Sequence, residues 1–105
     1  MTDIALYYPY IHIRDDRWLK AAALYWKSMT GHSFGAVGAT EGIMCALAIK
    51  NGVVPPTINL ENLADDCEEL NYVGAQAMEA PDLRAAISNS MGFGGHNVVV
   101  AFSKV

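Results

Sequence analysis

Positive charge is scarce in this chain of 105 residues: seven lysines and arginines stand against eleven aspartates and glutamates, a formal net charge of −4 at pH 7. That balance leaves no basic footprint for a phosphate backbone, so a nucleic-acid partner is not expected. No apolar run approaches the roughly 20 residues a bilayer-crossing helix needs, and no membrane partner is expected either. Met1-Thr2-Asp3 lacks the positive flank of a secretory signal, which makes the cytoplasm the expected location. Cysteine occurs twice, at Cys45 and Cys67, in neither case with metal-type spacing. Free thiols of a reducing compartment are the reading, with no metal and no disulfide framework. No Gly-Lys-Ser/Thr follows either glycine-rich stretch, which excludes a nucleotide loop, and Gly31, Gly35 and Gly38 are too widely spaced for a dinucleotide fingerprint. No repeat or low-complexity tract is present.

Apolar residues, by contrast, make up 52% and charged ones only 17%. The length allows one small domain at most. So apolar a chain of this size implies surfaces that face neighbours rather than water.

Ile4-Ala5-Leu6-Tyr7-Tyr8 is a β-branched and aromatic run halted by Pro9, a short strand. Asp15 and Asp16 are N-cap candidates for a helix through Trp18 to Trp26, whose apolar positions recur at helical spacing. A glycine-spaced turn then leads into a helix from about Ala39 to Lys50, closed by Asn51-Gly52. Val53 to Cys67 reads as loop, with a Pro-Pro pair and the start of an acidic cluster at Asp65, Asp66, Glu68 and Glu69. Leu70 to Ala77 holds a short strand. Leu83–Asn89 and Asn97–Phe102 are the clearest strands, joined by a glycine-rich segment.

Three blocks carry chemistry. The first is Lys27-Ser28-Met29-Thr30-Gly31-His32 and the turn onward to Glu41. The second is Val54-Pro55-Pro56-Thr57-Ile58-Asn59-Leu60-Glu61-Asn62, and the third Ser88-Asn89-Ser90-Met91-Gly92-Phe93-Gly94-Gly95-His96-Asn97. In this order they resemble the C-terminal segment of β-ketoacyl-acyl-carrier-protein synthases, the elongating condensing enzymes of fatty-acid and polyketide synthesis. The resemblance covers residues 27–105. Residues 1–26 do not resemble that family and read as a strand-helix unit of unrelated origin, either replacing the front of the half-domain or merely preceding it. The fold implied is α/β (α+β), an incomplete thiolase-like half-domain with two helices and about four to five short strands, compact as one domain.

The resemblance implies roles. His32 matches the second catalytic histidine, which donates a hydrogen bond to the extender thioester carbonyl. Lys27 matches the lysine that sets the site's electrostatics, and Glu41 a buried glutamate linked to it. Phe93 matches the gating phenylalanine, whose backbone N–H forms half of an oxyanion hole, and Gly92, Gly94 and Gly95 let that backbone approach the ligand. No cofactor is implied. Acyl carrier protein is the implied partner, together with a homo-oligomer or a second chain supplying the missing half. Departures are as informative. No nucleophilic cysteine sits in a strand-to-helix elbow, and His12 and His96 do not supply the family's first catalytic histidine. Met91 replaces a commoner phenylalanine, and His96 stands where many members carry threonine.

Taken singly these residues read blandly: Glu41 as a solvated acid in a first helical turn, Lys27 as an exposed charge, His32 as a surface or capped residue and the Gly92–Gly95 loop as a tight hairpin. Two functions therefore compete. One is a partial ketosynthase, inactive alone for want of the thiolate; the other is a non-catalytic chimeric or designed module that self-associates through apolar faces.

Overall fold

The computed structural model describes residues 5–7, 22–24, 26–62, 65 and 71–105. The expectations for Trp18, the Asp15/Asp16 caps, Cys67, His12 and most of the acidic cluster lie outside those residues.

A first strand, β1 (Ala5–Tyr7), falls where the β-branched run places it. The expected helix through Trp26 is corrected: Ala22–Leu24 form strand β2, antiparallel to β1 and parallel to β4 (Asn71–Tyr72). Ala-Ala-Leu favours a helix in isolation, but strand partners on both sides override so weak a local preference. Helical backbone begins instead at Trp26, the N-cap of a single turn, α1 (Lys27–Thr30). A 3-10 turn at Phe34–Ala36 leads into α2 (Val37–Asn51).

Helix α2 buries Glu41, Cys45, Ala48 and Ile49, a stripe at the i, i+4, i+7, i+8 spacing of one helical face. It ends where Asn51-Gly52 predicts. Gly52 adopts the left-handed conformation (φ 65°), and its N–H bonds the Ala48 carbonyl at 2.9 Å. Two short strands follow, the first within the stretch read as loop: β3 (Val53–Val54) pairs antiparallel with β5 (Met78–Glu79). The Gly52 carbonyl accepts from Ala80 N–H at 2.7 Å, which continues this ladder into the helix cap.

The hairpin is the longest sheet element. β6 (Ala85–Gly92) and β7 (His96–Ser103) pair antiparallel from Ala85↔Ser103 to Gly92↔His96. The turn Phe93-Gly94-Gly95 closes it, with both glycines at positive φ. β1 lies against β6, and α2 crosses one face of the hairpin. The core sits between them: Cys45, Ala48, Ile49, Val54, Val73, Leu83 and Ala86, flanked by Trp26, Met78, Ala80 and Phe102. Trp26 thus packs on the core as a half-buried residue. No helix among the described residues is long and apolar enough to cross a membrane.

Candidate functional site

A pocket of about 380 Å³ opens where the start of α2 meets the hairpin turn, lined by Lys27, His32, Phe34, Val37 and the stretch Ser90–Phe93. Three of the four residues expected to be catalytic, Lys27, His32 and Phe93, therefore share one wall-to-wall space. Glu41 stands behind it. Of the three glycines expected to contact substrate, Gly92 lines the pocket, while Gly94 and Gly95 form the turn beside it.

Lys27 opens α1 and Glu41 lies one turn inside α2. The Nζ of Lys27 donates to Glu41 Oε1 at 2.6 Å, with only 4% and 2% of the two side chains exposed. The bland reading of both is corrected, because Lys27 is buried and Glu41 lies past the first turn of its helix. Each partner offsets the cost of withdrawing the other from water, since either left alone in the interior is costly.

His32 is solvent-exposed and its orientation is fixed locally. Phe34 N–H donates to His32 Nδ1 at 3.2 Å, and the two rings stack at 5.3 Å. Phe34 is held at φ 50°, an uncommon conformation for a residue with a Cβ, and its ring is 82% exposed. An imidazole that accepts at Nδ1 carries its proton at Nε2 when neutral. The consequence is a histidine with one donor, Nε2–H, left for another group. Strained backbone at Phe34 was not signalled by the sequence; its neighbour Gly35 was the only hint of an irregular turn.

The second block packs against the first. Ile58 N–H donates to Ser28 Oγ at 3.0 Å, and Thr57 N–H is shared between the Val73 and Gly74 carbonyls. The Pro-Pro loop is thereby stapled between α1 and the segment after β4. Cys45 is fully buried in the core, away from the pocket lining. No cluster of three or more metal-binding side chains occurs among the described residues.

Helix α2 crosses the hairpin with an imidazole and a buried lysine at its head, the arrangement of an α/β fragment. Residues 20–61 match the family model described as "Beta-ketoacyl synthase, C-terminal domain", a match that reaches upstream of Lys27 and takes in β2. The chain is 51% identical over 76 residues to 3-oxoacyl-[acyl-carrier-protein] synthase 2 of Mycobacterium leprae, covering 72% of this chain and 18% of that protein. It is likewise 51% identical over 78 residues to the synthase of the same name from Synechocystis, and 49% to that of Mycobacterium tuberculosis. This chain carries a C-terminal segment of the β-ketoacyl synthase family, and it spans about 18% of the length of the curated relatives it matches.

Proposed function

We propose that this chain is the extender-binding part of a decarboxylating condensation site and does not condense acyl groups by itself. The observation that carries the reading is the convergence of His32, Lys27 and Phe93 on one pocket, with Glu41 bound to Lys27 behind it. In that reaction a malonyl thioester loses carbon dioxide and the electron pair moves onto the thioester carbonyl oxygen. An N–H donor aimed at that oxygen stabilises the developing enolate. His32 Nε2–H is such a donor, fixed as one by the Phe34 N–H on Nδ1. Lys27, bound to Glu41, lies on the same wall, and the Phe93 backbone N–H serves the acyl carbonyl on the other.

The enolate carbon must then attack an acyl group held on a thiolate. The buried Cys45 does not line this pocket, and the family's elbow cysteine and first histidine have no counterpart in these 105 residues. Acyl carrier protein is the partner this reading assigns, as carrier of both thioesters. The segment upstream of the family match, which includes β1, takes the place of the family's front elements, a reading that the position of β1 against β6 supports.

The test is direct. Purified chain mixed with acyl- and malonyl-acyl-carrier-protein is expected to form no β-ketoacyl product, and cerulenin-type labelling of a cysteine is expected to fail. Turnover abolished by substituting Cys45 or Cys67 would overturn the reading.

A second reading, a self-associating structural module, is favoured by one observation. Val98, Val99 and Val100 are consecutive on β7 and each is about half exposed.

A further inference from the structure

We propose that two copies of this chain pair through the free edge of β7, antiparallel and centred on Val100, to form one four-stranded sheet. The backbone sets which atoms are available. Lys104 N–H bonds the Arg84 carbonyl at 2.7 Å, so 84 and 104 are a hydrogen-bonded pair. Such pairs alternate along an antiparallel ladder. With the observed register, Val98, Val100 and Phe102 spend their N–H and C=O groups on β6. Asn97, Val99, Ala101 and Ser103 turn theirs outward, and no described strand pairs with that edge.

Proteins ordinarily blunt such an edge with lysine, proline, a bulge or a cover. Residues 96–103, His-Asn-Val-Val-Val-Ala-Phe-Ser, hold no lysine, arginine, acid or proline, and the ladder runs unbroken over all eight residues. Val98, Val99 and Val100 are 55%, 59% and 46% exposed.

What favours a second copy over a foreign strand is self-complementarity. With the two-fold axis at Val100, Val99 bonds the partner's Ala101 and Asn97 bonds the partner's Ser103, and each hydrogen-bonded pair exchanges two backbone bonds. On one face Val100 meets the partner's Val100 and Val98 meets the partner's Phe102, an apolar strip. On the other, Val99 covers the partner's Ala101, while the polar Asn97 and Ser103 meet at the two ends. Lys104, just past the end of the strand, would lie about 27 Å from its counterpart at ~3.4 Å per residue, well beyond the ~8–10 Å over which charges act at ordinary ionic strength. Val98, Val100 and Phe102 also line an apolar groove of about 580 Å³ under Gly38, Gly42, Ile43 and Ala46 of α2. The pairing would run the two grooves into one.

The inference rests on the self-association reading, and its test separates the two. The full chain is expected to sediment at twice its mass at high micromolar concentration. The Val99 and Ala101 amides should become protected from hydrogen exchange as concentration rises, whereas those of Val98 and Val100 stay protected at every concentration. Val100→Glu and Val100→Lys should each be monomeric, and mixing the two should restore a dimer. A monomer at all concentrations would overturn both readings. A dimer in which the Val99 and Ala101 amides exchange freely, or which survives both charge substitutions, would overturn the strand pairing alone. The exchange measurement uses the unaltered chain, so misfolding of a variant leaves the inference decidable.

Discussion

Lys27 and Glu41 stand 14 residues apart in the chain and 2.6 Å apart in space, joined in a nearly dry interior at the junction of α1 and α2. The bond closes the whole glycine-spaced turn that carries His32. Removing one partner strands the other as a buried charge, a loss of about 3–5 kcal/mol, whereas replacing both with apolar residues of similar volume is often neutral. Glu41→Ala and Lys27→Met should therefore each lower the urea midpoint sharply, while Lys27→Met/Glu41→Leu should recover much of the loss. Three variants with the same modest loss would mean that the pair is not coupled.

Glycine at 52 is required twice over. Its positive φ disfavours any side chain by about 1–2 kcal/mol, and an added Cβ would meet the Pro81 Cα at 3.0 Å and the Ala80 carbonyl at 3.2 Å. Neither obstacle is a flexible side chain. Gly38, inside α2, has open space around the same position. Gly52→Ala should cost about 2 kcal/mol or more, and Gly38→Ala should be neutral or gain up to about 1 kcal/mol from helix propensity. Thermal unfolding of the two variants side by side gives the contrast, at roughly 4–8 °C per kcal/mol.

Such a paired glycine contrast also marks what the sequence could and could not reveal. Helix α2 was legible to within two residues at its start because an apolar stripe and a Gly52 stop signal coincide there. The hairpin was legible because Val98-Val99-Val100 and a Gly-Gly turn agree. β2 was not, since Ala22-Ala23-Leu24 are strand only by virtue of β1 and a segment nearly fifty residues downstream. β3 and β5 are two residues each, too short to leave a pattern. The Lys27–Glu41 link was suggested by resemblance alone; nothing in their spacing encodes burial. Nor could the sequence say which edge of the hairpin stays open, because that depends on where β1 lies.

The histidine has a spectroscopic signature. With Phe34 N–H donating to Nδ1, nitrogen-15 correlation spectra of the neutral form should show His32 protonated at Nε2 and bare at Nδ1. Phe34→Pro, which removes that donor, should shift His32 towards a mixture of both tautomers. A wild-type spectrum dominated by the Nδ1–H form would contradict the donor role assigned to Nε2.

Cys45 is fully buried among Ala48, Ile49 and Val54. In a Cys67→Ser background its alkylation by iodoacetamide should be slow under native conditions and reach the rate of an unfolded thiol only in denaturant, since reactivity needs an exposed thiolate. Rapid native alkylation would show that the core opens locally.

The pocket draws one wall from Lys27 and His32 and the facing wall from Met91, Gly92 and Phe93, the opposite ends of the family segment. Closing so long a stretch of chain costs more entropy than closing the turn between Lys27 and Glu41. The ion pair can therefore form early, and the pocket exists only once the hairpin has docked on α2. A small molecule that fills it would bind the finished fold and no partly folded form. Occupancy would raise the melting temperature of the entire chain in step with ligand concentration, so heat denaturation reads out this site without any turnover.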